Sequence, residues 1–156
     1  MPQSIEHLLA GVPALHGLDE EDHALLAGCA RNVRFAAGEH VFREGGSADS
    51  FYLVRHGSVA LEAFVPTRGT VVIQTLGAGE LLGWSWLFPP YRWHFDARAV
   101  TLVRATAFDG VCLREKCEDD PRLGYRLMGR FAQVLIERLQ ATRFQLLDVY
   151  GDGKGH

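Results

Sequence analysis

The chain has 156 residues, of which 47% are hydrophobic and 22% are charged, and its formal net charge is −3. A chain of this length and ordinary composition is expected to form a single domain, residues 1–156, around one hydrophobic core. Proteins that bind nucleic acid usually carry a basic excess, and a membrane helix needs ~18 uninterrupted apolar residues, so neither partner is expected.

Three periodicities succeed one another along the chain. Residues 5–30 show a helical pattern of apolar residues, and residues 31–109 consist of short apolar runs separated by turn residues. Many short strands at this spacing predict an antiparallel β roll, a double-stranded β-helix of jelly-roll-like form. Residues 110–150 are helical again. The predicted fold class is therefore mainly β, with N-terminal helices and a long C-terminal helix flanking the roll.

Capping residues predict where two of the helices begin. Asp19, with Asp22 three residues later, is typical of a capped N-terminus. Asp120 followed by Pro121 predicts the start of the long final helix, and Gly151 predicts its end.

Several motifs occur in the order found in one known family. They are "VPALHGLDEEDHALLAGCA", "FAAGEHVFREGGSADSFYLVRHGSVALEAF", "GAGELLG" and "RLQAT". Together they resemble the cyclic-nucleotide-binding domain of the catabolite activator (CRP/FNR) family, over about residues 5–150. The resemblance implies a β roll with tight turns at Gly38, Gly45 and Gly57, and a regulatory function.

The resemblance also implies a phosphate-binding cassette in "GELLGWSWLFPPYRWHFDARA", the stretch that holds all three tryptophans. In the family, a Gly-Glu pair opens a short helix, the glutamate binds the ribose, and an arginine completes the phosphate site. The corresponding positions here hold Gly83 and Trp84 for the pair, and Trp93 and His94 for the arginine and its small neighbour. Arg92 lies one residue away, so the cassette is atypical.

Alternative interpretations of this cassette follow from its aromatic residues. Alternation along "WHFDARA" turns Trp93 inward, so the indoles could fill the pocket as core packing. In a reshaped cavity, the short helix at Ser85 and the side chain of Arg92 could instead hold an anion, with indoles stacked on a planar ligand. Ordinary cyclic AMP binding is a third alternative. The candidate ligand-binding residues are Gly83, Trp84, Ser85, Arg92, Trp93, His94 and Thr142.

Neither catalysis nor a metal site is expected. The seven histidines are dispersed, and neither a Ser–His–Asp nor a paired-carboxylate arrangement is evident, so we predict no enzyme activity, no catalytic residue and no metal ligand. Cys29, Cys112 and Cys117 are scattered, which predicts reduced thiols in a cytoplasmic protein rather than a disulfide framework. No cofactor is certain; the candidate is a cyclic nucleotide or a related small ligand.

The final helix carries two apolar stripes. One steps by four and three residues, as in the seam of a coiled coil, and predicts a parallel homodimer through this helix. This seam consists of Met128, Ala132, Leu135, Leu139, Thr142, Leu146 and Val149. The second stripe is expected to pack on the roll. It consists of Leu123, Leu127, Phe131 and Val134. A wide core-facing stripe on a monomer is the alternative.

Polar residues of the same helix have separate predicted roles. Arg122, Arg126 and Arg130 are spaced by four residues and predict a solvated face. By resemblance, Thr142 occupies the position of a threonine that reaches the bound base. Arg143 follows, where the family often has a second small hydroxyl residue.

The predicted function combines these observations. Transcription factors of the family continue beyond the long helix into a helix-turn-helix domain, whereas this chain stops six residues after Tyr150. We therefore expect a stand-alone domain without DNA binding of its own. It is predicted to bind a small ligand, a cyclic nucleotide or another planar or anionic metabolite, in the roll and to signal through a protein partner. The alternative is a structural interaction module with a filled pocket.

Overall fold

A computed structural model describes the backbone of residues 18–154 and the side chains of residues 18–140. This part of the chain contains three α-helices and eight β-strands, and a short 3-10 helix at Ser85–Leu87. In chain order the elements are α1 (Glu20–Ala27), β1 (Ala30–Phe35), β2 (His40–Phe42), β3 (Ser50–His56), β4 (Val59–Val65), β5 (Gly69–Leu76), β6 (Leu81–Leu82), β7 (Asp96–Ala99), β8 (Val103–Asp109), α2 (Gly110–Asp119) and α3 (Pro121–Lys154).

The strands form two antiparallel four-stranded sheets. Their strand orders are β1-β8-β3-β6 and β2-β7-β4-β5. One core cluster lies between the sheets, and a second lies between the first sheet and the helices. The mainly β roll with flanking helices, predicted from the short apolar runs, is confirmed. The N-terminal part of the predicted helical segment, residues 5–17, lies outside the described residues.

Glycines make the tight turns that join the strands. Gly38 and Gly45 have φ values of +92° and +84°, a region that residues with a Cβ rarely adopt. Gly57 joins β3 to β4 with φ +91°, and a Cβ there would collide with the carbonyl oxygen of Leu102. The predicted turns at these three glycines are therefore confirmed.

Element boundaries differ from the prediction in two places. The run beginning at Trp93 was expected to be a strand, but β7 begins only at Asp96. The backbone of Trp93 pairs instead with the turn at Gly45 and Gly46, through hydrogen bonds of 2.9 and 3.0 Å. The predicted stop at Gly151 is wrong, because the backbone of α3 continues as a helix to Lys154.

The predicted caps and the roll-facing stripe are confirmed. The Asp19 carboxylate accepts a hydrogen bond from the backbone N–H of Asp22 at 2.9 Å and forms a capping box. The Asp120 carboxylate accepts from the backbone N–H of Arg122 at 3.1 Å. The second stripe of α3 joins the core between the first sheet and the helices. Leu127 and Phe131 belong to this core and Val134 packs against it, and Leu123 of the same stripe is fully buried.

Arg126 forms an ion pair with Asp22, which corrects the prediction of a solvated arginine face. Asp22 is only 1% exposed, and Arg126 donates to its two carboxylate oxygens at 2.7 and 2.6 Å. These hydrogen bonds lower the pKa of the Asp22 carboxyl below its ordinary value. The pair joins α3 to α1, so the long helix is held on the domain by a polar contact as well as by its apolar stripe.

A disulfide joins Cys29 and Cys112, which corrects the prediction of three reduced thiols. The two residues are 83 positions apart, yet their Cα atoms are 5.8 Å apart. They meet because β1 pairs along β8, which leads directly into α2. The backbone N–H of Asp109 donates to the Cys29 carbonyl at 2.8 Å. Cys117 keeps its thiol, and burial raises its pKa. The cytoplasmic location stays a prediction.

Candidate ligand site

A pocket of about 280 Å³ lies between the second sheet and α3. The sheet contributes residues of β4 and β5, the cassette contributes two aromatic side chains, and α3 contributes three residues. The lining residues are Leu61, Ile73, Gln74, Trp84, Phe95, Leu135, Arg138 and Leu139. Six of these eight side chains are apolar, so the pocket offers contact area to a ligand and few hydrogen bonds.

Trp93 is packed into the core beside the start of the cassette helix. Its side chain is 4% exposed, and its ring stacks on Phe42 with centroids 3.7 Å apart and an interplanar angle of 8°. Its edge lies against Gly83, where a Cβ would come within 2.7 Å of the indole. Gly83 has φ +94°. The Trp93 indole therefore requires a glycine at position 83. Gly83, the glycine of the cassette, leaves room for this indole.

Trp86 belongs to the core on the opposite side of the first sheet. It is fully buried, and it packs on Phe51 and Phe131 with ring centroids 5.1 and 5.5 Å away. Phe131 belongs to the roll-facing stripe of α3. The cassette is thus joined to the long helix through aromatic packing, and Trp86 does not line the pocket.

Trp84 is the tryptophan that lines the pocket. It precedes the 3-10 helix and is half-buried, with its ring centroid 5.8 Å from that of Phe95. The guanidinium carbon of Arg138 lies 4.8 Å from the centroid of the Trp84 ring, which is a cation–π contact. Arg138 is 9% exposed, and this burial lowers its pKa to about 10, whereas the charge of Glu80 acts in the opposite direction. The guanidinium stays protonated at neutral pH.

The family model of the cyclic nucleotide-binding domain matches residues 32–120, more than half of the chain. The chain belongs to this family.

Known members of the cyclic nucleotide-binding domain family resemble the chain over most of its length. The CRP-like cAMP-activated global transcriptional regulator of Mycobacterium tuberculosis is 27% identical over 145 residues, which are 93% of this chain and 63% of the regulator. The chain therefore spans less than two thirds of that relative.

Solved structures of the family superpose on the same fold. A protein from Geobacter metallireducens described as cyclic nucleotide-binding is 30% identical with a TM-score of 0.77, and the match covers 88% of this chain and 99% of that one. The Thermus thermophilus catabolite activator protein is 24% identical with a TM-score of 0.68, and the match covers 88% of this chain and 63% of that one. At that identity the second likeness shows the fold alone.

The predicted ligand-binding residues of this cyclic nucleotide-binding domain separate into two groups. Trp84 lines the pocket, with Gly83 and the buried Ser85 beside it in sequence. Arg92 and His94 are exposed, and neither they nor Trp93 is among the described lining residues. Arg92 donates to the Gly45 carbonyl at 3.1 Å. The side chain of Thr142 lies outside the described residues. Its ligand contact, like those of the other six, stays a prediction.

Arg92 and Arg98, the arginines nearest to Trp93 in the sequence, both bond to other groups of the described chain. Arg98 lies five residues beyond Trp93, but it makes a bidentate pair with buried Glu62 at 3.0 to 3.3 Å. The glutamate of "GELLG" is also engaged elsewhere. The Glu80 carboxylate accepts from the backbone N–H of Gly77 at 2.7 Å, as expected for a residue of the turn before β6.

Sequence reasoning missed Arg138. The roll-facing stripe steps from Phe131 to Val134, and its next position, four residues on, is Arg138. A charged residue that continues an apolar stripe is a signal that the sequence contains. The lining residues Leu61 and Ile73 carry no such signal, because apolar residues of strands are usually core.

Within residues 18–140, no group of three or more His, Cys, Asp or Glu side chains is placed to hold a metal ion. None of the described helices combines the length and apolar character that a bilayer span requires.

Proposed function

We propose that this chain is a regulatory domain that binds a small planar ligand in the pocket between the second sheet and α3. The observation that carries the proposal is the unequal burial of the three indoles. Trp86 and Trp93 are packed in the cores, whereas Trp84 is half-buried and lines a pocket of about 280 Å³. A wholly filled roll would bury all three. The pocket is small for a drug-sized site, ~300–1,000 Å³, which favours a small ligand.

The proposed ligand differs from an ordinary cyclic nucleotide. The indole of Trp93 takes the position that resemblance assigns to the phosphate-binding arginine, and Trp84 takes that of the ribose-binding glutamate. A ribose hydroxyl and a phosphate would then enter a pocket whose polar lining is Gln74 and Arg138. Each polar group buried without a partner costs about 1–3 kcal/mol, so cyclic AMP binds weakly if it binds at all.

The route from ligand to partner runs through α3. Leu135, Arg138 and Leu139 of this helix line the pocket, so a ligand contacts the helix directly. Leu139 is also 68% exposed, and Met128 and Ile136 of the same helix are 41% and 54% exposed. These residues support a homodimer through α3. In this dimer, the α3 helix of the second copy covers the apolar surface, and its packing changes when a ligand occupies the pocket. A protein partner then binds the dimer in its ligand-bound form.

Tryptophan fluorescence tests the proposed function. Cyclic nucleotides and a panel of planar metabolites are titrated against intrinsic fluorescence, and calorimetry confirms each response. At least one compound is expected to bind saturably and to change the emission of Trp84, the indole that lines the pocket. Trp84→Phe should remove the optical change and leave calorimetric binding measurable. If every compound fails in both assays, the filled interaction module replaces this proposal.

A further inference from the structure

A basic groove of about 660 Å³ lies on the first sheet, away from the pocket at Trp84. Its polar side chains come from β1, β3 and β8, and they are Asn32, Arg34, Arg55, His56 and Arg104. Within residues 18–140, no carboxylate lines this groove, and neither of the two described ion pairs involves one of its residues. Because the whole chain has a net charge of −3, this concentration of positive charge does not follow from composition.

Strand register places three of these basic residues in one row. Arg34 on β1 lies directly opposite Arg104 on β8, and Arg104 lies directly opposite His56 on β3. Neighbouring strands are ~4.8 Å apart, so the row is about 10 Å long. Like charges that face each other across an antiparallel pair destabilise the sheet. The two guanidiniums therefore oppose the pairing of β1 with β8 unless an anion neutralises them.

Arg55 is held beside this row by a short chain of hydrogen bonds. The Arg55 guanidinium donates to the side-chain oxygen of Asn32 at 3.2 Å, and the hydroxyl of Thr106 donates to the same oxygen at 3.2 Å. Thr106 is only 1% exposed and lies directly opposite Asn32. A buried hydroxyl thus orients the asparagine, and the asparagine orients the guanidinium. This bond uses one of the five N–H donors that a guanidinium offers.

We propose that the basic groove binds a small oligophosphate, a ligand with two or three linked phosphate groups, through Arg34, Arg55 and Arg104. This second site is independent of the proposed function of the Trp84 pocket. A guanidinium pairs with two phosphate oxygens at once, and such charge-assisted pairs are stronger than neutral hydrogen bonds. A single phosphate group carries a charge of about −1.5 to −2 at neutral pH, which leaves part of the charge of three guanidiniums uncompensated. Linked phosphate groups balance that charge.

The lining of the basic groove favours a compact anion over an acidic segment of a protein. Protein partners gain most of their affinity from aromatic and other large side chains that are buried in apolar pockets. The apolar side chains that line this groove are Val33 and Ala105, which are small. The groove therefore offers charge over a length of about 10 Å and little apolar contact area.

Titration of the full chain with sodium triphosphate tests the inference. Affinity is measured by calorimetry at constant pH and ionic strength, with sodium sulfate and a pentaaspartate peptide as comparison probes. Triphosphate is expected to bind at least ~10-fold more tightly than sulfate, and to bind more weakly when sodium chloride is added. Arg104→Gln should weaken triphosphate binding at least ~10-fold. Arg68→Gln, an exposed arginine in the turn before β5, is the control and should keep the wild-type affinity.

Thermal stability provides a second measurement with an opposite sign. Arg34→Glu places a carboxylate opposite Arg104, so it should raise the Tm of the ligand-free protein and abolish triphosphate binding. Triphosphate should raise the Tm of wild-type protein and leave that of the variant unchanged.

Three results would overturn the inference. They are triphosphate binding no tighter than sulfate binding, triphosphate affinity that Arg104→Gln does not change, and tighter binding of pentaaspartate than of triphosphate. The last result would assign the basic groove to an acidic protein segment. Comparing the three probes on wild-type protein needs no variant, so the inference stays testable if a variant fails to fold. Failure of the ligand panel at the Trp84 pocket does not affect these outcomes, because the two sites share no lining residue.

Discussion

The indole of Trp93 lies flat on the ring of Phe42, with centroids 3.7 Å apart and planes within 8° of parallel. Stacking of this kind adds about 0.5–1.5 kcal/mol to the burial of the two rings. The same indole lies against Gly83, the glycine that resemblance places at the start of the phosphate-binding cassette.

Cyclic AMP is expected to bind wild-type protein with millimolar affinity or not at all. Loss of the ribose acceptor and of the arginine fork would weaken a micromolar site by about a thousandfold or more. The double change Trp84→Glu and Trp93→Arg should increase affinity for cyclic AMP at least ~10-fold, measured by calorimetry. Trp93→Phe, which keeps an aromatic ring there, is the control and should bind no better than wild type. A saturable micromolar response of wild-type protein would show that another residue holds the phosphate.

Three described residues of the seam on α3, Met128, Ala132 and Leu139, are exposed. They support the prediction of a parallel homodimer at tens of micromolar protein, a concentration typical of ordinary dimer affinities. Ala132→Asp and Leu139→Asp should each produce a monomer in sedimentation, because a carboxylate would be buried between the helices. Ala132 does not line the pocket, so its effect reports on the dimer alone. Gln140→Asp, an exposed position beside the seam, should stay dimeric. Monomeric wild-type protein at these concentrations would contradict the prediction.

The Asp22–Arg126 pair predicts a component of stability that disappears in acid. The folded-state pKa of Asp22 is lowered, so the pair stabilises the fold above the unfolded value of about 4. This contribution is lost as pH falls through the lower folded value. Asp22→Asn should lower the Tm at pH 7 by about 5 °C or more, and the difference from wild type should shrink towards pH 3. Glu20→Gln, an exposed change on α1, is the control. A Tm difference between variant and wild type that is constant with pH would contradict a stabilising Asp22–Arg126 ion pair.

The disulfide predicts how many thiols react with iodoacetamide under denaturing conditions. Without reductant, mass spectrometry should find one alkylated cysteine, Cys117, and after reduction it should find all three. Reduction should also lower the Tm by about 10 °C or more, because the bridge between Cys29 and Cys112 closes a loop of more than eighty residues. Cys117→Ser should leave this Tm shift unchanged. Three alkylated residues without reductant would show that the bridge does not form.

Local pattern was sufficient for much of the fold. The glycine turns at Gly38 and Gly57, the capped start at Asp19 and the stripe containing Leu127 and Phe131 all follow from residues near each other in the chain. Turn geometry, capping and helical periodicity depend on such neighbours, so a single sequence contains the information. The resemblance added the family and the place of the cassette.

Only the tertiary structure decided which aromatic residues are core and which face the pocket. Alternation along "WHFDARA" turns Trp93 inward, but the sequence does not decide whether Trp93 or Trp84 packs in the core or lines a pocket. Their difference comes from Phe42 and Gly83 on one side and from Arg138, more than fifty residues after Trp84, on the other. The pairing of Cys29 with Cys112 was decided in the same way, by the register of β1 on β8. These contacts join residues far apart in the chain, and their energies depend on packing that local propensity does not contain.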